Sequence, residues 1–448
     1  MIRKLKNIGK EKNISSLLTN VVIAFLGLVS FMLLTRQLSK PQFGDWVLFI
    51  TLATFLDLLR FGLTRTSVVR LLSGADKKAF KRLLGSSCRI NLILLVILTI
   101  FCWSTMAIVH VVEFQITQGY ELFLRWYPIL AFCNLGWNNA SALFQAEQNF
   151  NRMMLVRLAN IGLFVVFLVL NGFWFHLGLL ELVWVNLAVN LISSLWCTFK
   201  KWDGLFFLNK ADRKTEKELI NFGKYSMGTL IGSSLLKSAD TLIIGLSPVL
   251  GSTGIAMYAI PLKLTDLLGI PLRSFTMTAY PRMSKKAIEG DLDGVRKVFY
   301  AYSGAITLLF VPVAIGCFVL AEDLILILGG KAYSDSLPLL TLVFRVFTVY
   351  TLLLPVDRFT GVLLDSINRP KLNLYKVICM TVANILVDVL AVFVFESLVV
   401  VALGTVFFTL LGIFLGFYFL RKEIQIESKQ ILPEGIFFFK NLSTYIGR

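Results

Sequence analysis

Histidine and paired cysteine are scarce in this sequence, and their scarcity excludes several kinds of site. The 448 residues include only two histidines, His110 and His176, and both fall near predicted helix ends. The six cysteines are scattered singly through apolar segments, without a C-x-x-C motif or a Cys/His cluster. We therefore predict neither a disulfide framework nor a zinc site.

Motifs for ATP hydrolysis and for covalent catalysis are also missing. The sequence has no G-x-x-x-x-G-K-[ST] phosphate-binding loop and no constellation of nucleophile, acid and base. A membrane enzyme such as a glycan polymerase or ligase normally needs a sizeable external loop, and the predicted external links are short. We therefore expect no enzyme, no cofactor beyond a coupling H⁺ or Na⁺, and no nucleic-acid partner.

Apolar residues, in contrast, are abundant. Hydrophobic residues make up 56% of the chain and the mean hydropathy is +0.76. About twenty apolar residues span a bilayer as a helix, so this chain can supply about a dozen spans. We predict an all-α polytopic membrane protein. The basic segment at the N-terminus precedes a long apolar run without a cleavage site, which predicts a retained first helix.

The distribution of Lys and Arg predicts the topology. With the N-terminus placed inside, 33 of the 44 cations fall in the N-terminus, the inner links and the C-terminal tail. The outer links hold three, Arg36, Lys40 and Lys331. This bias favours twelve helices with both termini in the cytoplasm.

The chain divides into two halves of six helices each. We predict bundles over 1–199 and 221–420, a cytoplasmic linker over 200–220, and a cytoplasmic tail over 421–448 with a short interfacial apolar patch. Gly44 and Gly254, like Pro128 and Pro338, are 210 residues apart in the sequence, which indicates repeats of the same sense. In such a pair of repeats the substrate binds near the midplane between them.

Charged residues recur inside the apolar segments. Lys237 and Asp240 lie in the stretch KSADTLIIGLSPVLGSTGIAMY, where two apolar segments meet at a Gly/Ser/Pro-rich break. An ionisable residue at bilayer depth costs about 2.5–3.5 kcal/mol on insertion scales, so it faces protein or water. Two interpretations stay open: the charges form pairs that pack helices, or some of them bind substrate and ions.

Several short motifs carry a family resemblance. They are LLTRQL at 33–38 followed by Gly44, FGL at 61–63, ELINFG at 218–223, DTLIIG at 240–245, GI-x2-Y at 254–258, YPRMS at 280–284 and LGGKAY at 328–333. Over about its whole length the chain resembles the polysaccharide-transporter (Wzx-type) oligosaccharide flippases of the multidrug/oligosaccharidyl-lipid/polysaccharide (MOP) exporter superfamily. One departure is Lys224-Tyr225, where relatives often carry Pro after the Gly.

The resemblance implies a MATE-like pair of bundles around a cavity, in a monomer of the bacterial inner membrane. It implies translocation of an undecaprenyl-pyrophosphate-linked repeat unit, for O-antigen or another surface polysaccharide, from the cytoplasmic to the periplasmic leaflet. The expected partners are this lipid-linked oligosaccharide, membrane lipids, and the polymerase or ligase machinery that handles the glycan. The alternative is a MATE-like cation-coupled antiporter of drugs or metabolites, which shares the architecture and would use the carboxylates.

The intramembrane charges are the candidate site residues. Three carboxylates, Asp57, Asp240 and Asp266, could exchange H⁺ or Na⁺ as the cavity alternates its access. We expect the bundles to rock about a linker that tethers them without dictating their geometry. At least two of six cations should contact the pyrophosphate, because Arg binds phosphate oxygens bidentately: Arg60, Lys237, Lys263, Arg273, Arg345 and Arg358.

Overall fold

The computed structural model describes residues 12–72 and 76–441. Over these ranges the chain forms fifteen α-helices with short 3₁₀ and π turns, and no strand. The all-α fold class is therefore confirmed. The basic segment at the N-terminus lies almost entirely outside the described residues.

The helices of the N-terminal half are numbered here in chain order. Most adjacent helices are joined by short turns, and a 3₁₀ turn at Leu205–Lys210 lies before α8. The bounds are α1 Lys12–Gln37, α2 Lys40–Leu72, α3 Lys77–Val111, α4 Gln118–Cys133, α5 Leu135–Ala146, α6 Phe150–Leu170, α7 Leu179–Phe199 and α8 Arg213–Gly245.

The six spans predicted for the C-terminal half correspond to α8 and to five helices that follow it, and the structure adds two short helices. These are α11 and the last helix, α15, which follows a turn after α14. The bounds are α9 Gly251–Ile288, α10 Leu292–Val319, α11 Ala321–Gly329, α12 Leu337–Ser366, α13 Pro370–Phe393, α14 Leu398–Ile424 and α15 Ile431–Lys440.

Nine helices in the described part are long and apolar enough to cross a membrane, namely α2, α3, α6, α7, α9, α10, α12, α13 and α14. A shorter apolar stretch, Val21–Gln37, lies in α1. The multi-pass membrane class is therefore confirmed, while the count of twelve spans stays a prediction. α8 falls outside this set because polar and charged residues are spread along its length.

The chain forms two compact units, residues 1–234 and 235–448. The boundary between them lies inside α8, and α8 already begins at Arg213, within the predicted linker. The first two thirds of α8 therefore belong to the N-terminal unit. Ser67 on α2 donates a hydrogen bond of 2.8 Å to the carbonyl oxygen of Leu219 on α8.

The segment between α7 and α8 is held against α3. A Cβ at Gly85 would overlap the carbonyl oxygen of Phe207, so glycine permits this close approach. The backbone N–H of Asp212 donates to the Ser86 hydroxyl at 3.2 Å. Arg89 and Glu216 form an ion pair. The tether that we expected to be loose is therefore fixed to its own unit by backbone packing, which the linker's basic composition does not indicate.

One apolar stretch of the N-terminal half is broken into two helices, α4 and α5, at Asn134. The carbonyl oxygen of Ala131 accepts a hydrogen bond of 2.6 Å from the guanidinium of Arg60 on α2. A side chain that enters the backbone ladder in this way is a recognised cause of a helix break. The break thus places the side chain of Asn134 beside Arg60.

Candidate functional site

A buried polar cluster lies in the N-terminal unit, where α2 meets the break between α4 and α5. Arg60 is 1% exposed and donates to Asp57 at 3.0 Å and to the side chain of Asn134. Asp57 also accepts hydrogen bonds from Asn134 at 2.5 Å and from the Tyr127 hydroxyl at 3.2 Å. Each of these bonds is charge-assisted, so the cluster ties α2 firmly to α4 and α5.

Two sequence-predicted site residues are therefore engaged within their own unit. Both terminal nitrogens of the Arg60 guanidinium donate hydrogen bonds to protein groups. These are the nitrogens that would otherwise bind the oxygens of a phosphate. The Asp57 carboxylate is balanced by a cation and two neutral donors. The arrangement is therefore that of an ion pair that packs helices together, more than that of a site that binds an anion or a cation from outside.

A second buried cluster lies in the C-terminal unit. It connects α8 with α9 on either side of the turn between them. Asp240 on α8 accepts a hydrogen bond from the hydroxyl of Tyr258 on α9. Asn384 on α13 donates to Asp240 at 3.2 Å and to Asp388 at 2.7 Å. The same amide nitrogen of Asn384 thus holds an oxygen of Asp240 next to an oxygen of Asp388. The exposed fractions are 6% for Asp240 and 0% for Asp388 and Asn384.

Two adjacent carboxyl groups in this position cannot both stay ionised without compensation. Among the residues that the structure describes, neither Asp240 nor Asp388 has a Lys or Arg within 4 Å. A shared proton, or a cation held between the oxygens, would compensate such a pair. The side-chain oxygen of Asn384 and one oxygen of Asp388 accept no hydrogen bond from the amides, hydroxyls and amines of the described chain. These oxygens are the donor atoms that H⁺ or Na⁺ would use.

Sequence reasoning found half of this cluster. It singled out Asp240 and not Asp388. The available signal was the spacing of Asn384 and Asp388, four residues apart, which puts two polar side chains on one face of an apolar helix.

A buried ion pair lies nearby in the same unit. Lys376 on α13 is 2.7 Å from a carboxylate oxygen of Asp357 on α12, and it also donates to the Asp357 carbonyl at 2.7 Å and to Thr360 at 2.9 Å. Its side chain is 3% exposed. Lys376 is one of the 33 cations that the sequence predicts for the N-terminus, inner links and tail. For this residue the prediction is wrong, because α13 begins at Pro370 and carries Lys376 into the bundle.

A third group of charges lies on α8, α9 and α12 of the C-terminal unit. Lys237 on α8 lies 3.9 Å from Asp266 on α9, and both side chains are more than half exposed. Lys263 interacts electrostatically with both residues. Arg273 on α9 and Arg358 on α12 are also exposed. For neither guanidinium does the described part of the chain supply a hydrogen bond or an ion pair.

Exposed charges on such helices cannot face hydrocarbon, so this surface faces water. We call this set of residues the cationic wall: Lys237, Lys263, Asp266, Arg273 and Arg358. It comprises four cations and one exposed carboxylate, whose nearest oxygen is 3.9 Å from Lys237. The carboxylates Asp240, Asp357 and Asp388 on the helices of this unit are buried, whereas Lys237, Arg273 and Arg358 are exposed.

Arg345, the remaining candidate, is placed differently. It lies on α12, where its guanidinium is 5.1 Å from the centre of the Phe318 ring and donates to the Phe318 carbonyl at 3.4 Å. A cation held over an aromatic ring in this way is stabilised by about 0.5–2 kcal/mol. Arg345 is therefore not grouped with the cationic wall.

The fold matches that of known transporters. An inward-facing multidrug resistance transporter of the MATE family, in the MOP superfamily, superimposes with a TM-score of 0.73 at 16% identity, covering 90% of this chain and 94% of that one. The lipid II flippase MurJ, in an inward closed conformation, gives a TM-score of 0.74 at 13% identity, covering 94% and 89%. The chain thus shares the fold of these two transporters.

The sequence assigns the chain to one family. The family model described as "Polysaccharide biosynthesis protein" matches residues 33–338, and the chain belongs to that family. The probable low-salt glycan biosynthesis flippase Agl15 of Haloferax volcanii is 22% identical over 191 residues, which are 42% of this chain. The match spans only 39% of that relative's length.

Proposed function

We propose that this protein is a flippase that translocates an undecaprenyl-pyrophosphate-linked oligosaccharide repeat unit across the bacterial cytoplasmic membrane by alternating access. The observation that carries the proposal is the cationic wall. Arg273 and Arg358 lie on membrane helices, are exposed, and lack a carboxylate partner in the part of the chain described. A pyrophosphate carries the opposite charge and offers oxygens that guanidinium groups bind bidentately.

The balance of charge on the wall favours an anionic substrate over a cationic one. The wall contains four cations and one carboxylate, Asp266. The nearest oxygen of Asp266 is 3.9 Å from Lys237, and its side chain is 53% exposed. A site for a cationic drug would need exposed carboxylates in excess, since exposed unpaired charge attracts the opposite sign. Membership of a polysaccharide biosynthesis family supports the same conclusion.

The Asp240–Asp388 pair supplies a basis for ion coupling. A shared proton or a bound Na⁺ would neutralise the pair, and its loss would leave two like charges in contact. Conformations that expose the pair to different sides would then differ in their affinity for the ion, which is what coupling requires. Among the three carboxylates expected from the sequence, Asp240 has this geometry, whereas Asp57 is balanced by Arg60 and Asp266 is exposed.

A deletion strain tests the transport activity. We expect loss of surface glycan and accumulation of an undecaprenyl-linked repeat unit that impermeant reagents cannot reach from outside. Complementation with Arg273→Ala/Arg358→Ala should fail at normal membrane levels. Arg345→Ala is the matched control, because this arginine is held against Phe318, and it should restore the glycan. A double variant that restores the glycan as well as the control would exclude the cationic wall as the pyrophosphate site.

The same strain separates flippase from antiporter. A deletion that leaves surface glycan intact but sensitises cells to cationic drugs would reject the flippase in favour of the antiporter. Coupling is tested by Asp240→Asn and Asp388→Asn, which should reduce export while the protein stays folded. Export that continues unchanged after the H⁺ and Na⁺ gradients are collapsed would refute the coupling role.

A further inference from the structure

The last helix, α15, carries apolar side chains on its inner and on its outer side. Ile431, Gly435 and Phe438 point into the C-terminal unit and are buried. Four apolar side chains on the outer side are 44–53% exposed. An exposed apolar patch of this kind marks a surface that contacts protein or membrane, and water is a poor environment for this outer face. The outer face consists of Leu432, Ile436, Phe437 and Phe439.

The inner face of α15 is packed against α10. A Cβ on Gly304 would overlap the backbone at Ile431 and at Gly435, so two glycines let the helices cross at backbone distance. The Phe438 ring centre is 5.3 Å from that of Tyr302, in an edge-on arrangement. α15 is therefore an integral part of the unit, and its position along α10 is fixed.

The turn before α15 is fixed to the same helix. The guanidinium of Arg296 donates to the Ile424 carbonyl at 2.7 Å, and the backbone N–H of Glu427 donates to the Tyr300 hydroxyl at 2.7 Å. From Ile424 onwards the chain thus runs along α10 and passes Arg296, Tyr300 and then Gly304. The tail consequently moves away from the charged end of α10 and along its apolar part.

The crossing point lies at the depth of the hydrocarbon. Lys297 is the last charged residue at this end of α10, and the following residues, 298–321, include no Asp, Glu, Lys or Arg. Gly304 is seven residues beyond Lys297, which at 1.5 Å per residue is about 10 Å along the helix. α15 therefore crosses α10 inside the apolar zone, while the cations at Arg296 and Lys297 mark the headgroup level.

We propose that α15 is embedded in the membrane leaflet on the Arg296/Lys297 side and that its outer face binds lipid acyl chains. Its ten residues measure about 15 Å, half the thickness of the hydrocarbon core, so it enters without spanning. Lys429 and Lys440 flank it, and long lysine side chains reach back to the anionic phosphates of the headgroups. Glu434 lies in the first turn, where the helix dipole favours a carboxylate.

Spin labels at three positions test this placement. Phe437→Cys on the outer face, Ser428→Cys in the preceding turn and Phe407→Cys on α14 are made in a full-length Cys-free background and reconstituted into vesicles of phosphatidylethanolamine and phosphatidylglycerol. Phe407 is 54% exposed on a membrane helix and serves as the lipid-facing reference. Collisions with apolar O₂ and with a water-soluble nickel chelate are then compared.

We expect the label at Phe437 to match the Phe407 reference. Its accessibility to the nickel chelate should be several-fold lower than at Ser428, and its accessibility to O₂ should be higher. A label at Phe437 that behaves like the one at Ser428 would place the helix in water and overturn the proposal. Low accessibility to both reagents would also overturn it, because protein would then cover the outer face.

Discussion

The buried ion pair between Lys376 and Asp357 allows a quantitative prediction. The two side chains are 3% and 9% exposed, and the ammonium makes three contacts of 2.7–2.9 Å with Asp357 and Thr360. Lys376→Met keeps most of the apolar stem and removes the charge. The Asp357 carboxylate would then remain in the bundle without its cation.

Removing one partner of a buried pair typically costs about 3–5 kcal/mol, because the remaining charge is left uncompensated. Removing both charges is often nearly neutral, so Asp357→Asn/Lys376→Met should recover most of this loss. Lys285→Met is the matched control. Lys285 and Glu289 are 3.9 Å apart, with side chains 79% and 51% exposed, and substitutions at such exposed pairs change stability by about 0.5 kcal/mol or less.

The assay is the thermal midpoint of the purified protein in detergent, read as the fraction that stays monodisperse on size exclusion after heating. Lys376→Met should lower the midpoint clearly, Lys285→Met should leave it near the parent value, and the double variant should lie close to the control. If Lys376→Met proved as stable as Lys285→Met, the reasoning from burial would be refuted, since the carboxylate would evidently find water or a proton at little cost.

Three further predictions follow from other contacts. Gly435→Leu should detach α15 from α10 and lower the thermal midpoint, because its Cβ would overlap the backbone there; an unchanged midpoint would contradict the packing. Arg60→Met should reduce the yield of monodisperse protein whereas Arg273→Met should not, and equal yields would argue against a structural role for Arg60. The hydroxyl of Thr215 donates to Asp212 and holds the pKa of that carboxyl below its usual 3.8, so this contribution is present at neutral pH and lost as acid protonates the group. Asp212→Asn should therefore speed proteolysis of the segment before α8 at pH 7, and this difference should shrink as the pH falls below 3.8 and the carboxyl takes up a proton; a difference that acid leaves unchanged would contradict the assignment.

The sequence alone determined the class of the protein and the general place of its chemistry. Runs of apolar residues predict membrane helices because the cost of unpaired backbone groups in lipid leaves helices as the main solution. Charged side chains are also costly in lipid, so those of α8, α9 and α12 were expected to face protein or water. This expectation singled out Lys237, Asp240 and Arg273. In the structure, the hydrogen bond between Asp240 and Tyr258 lies within the stretch KSADTLIIGLSPVLGSTGIAMY that the sequence had singled out.

The identity of each charge's partner was decided only by the tertiary structure. Asp240 and Asn384 are 144 residues apart, and no local pattern indicates that helix packing brings them together. Lys376 follows a turn, which suggested a solvated link, yet the start of α13 carries it into the bundle. Whether a buried charge is compensated or free depends on atoms a few ångströms away, and long-range packing places those atoms.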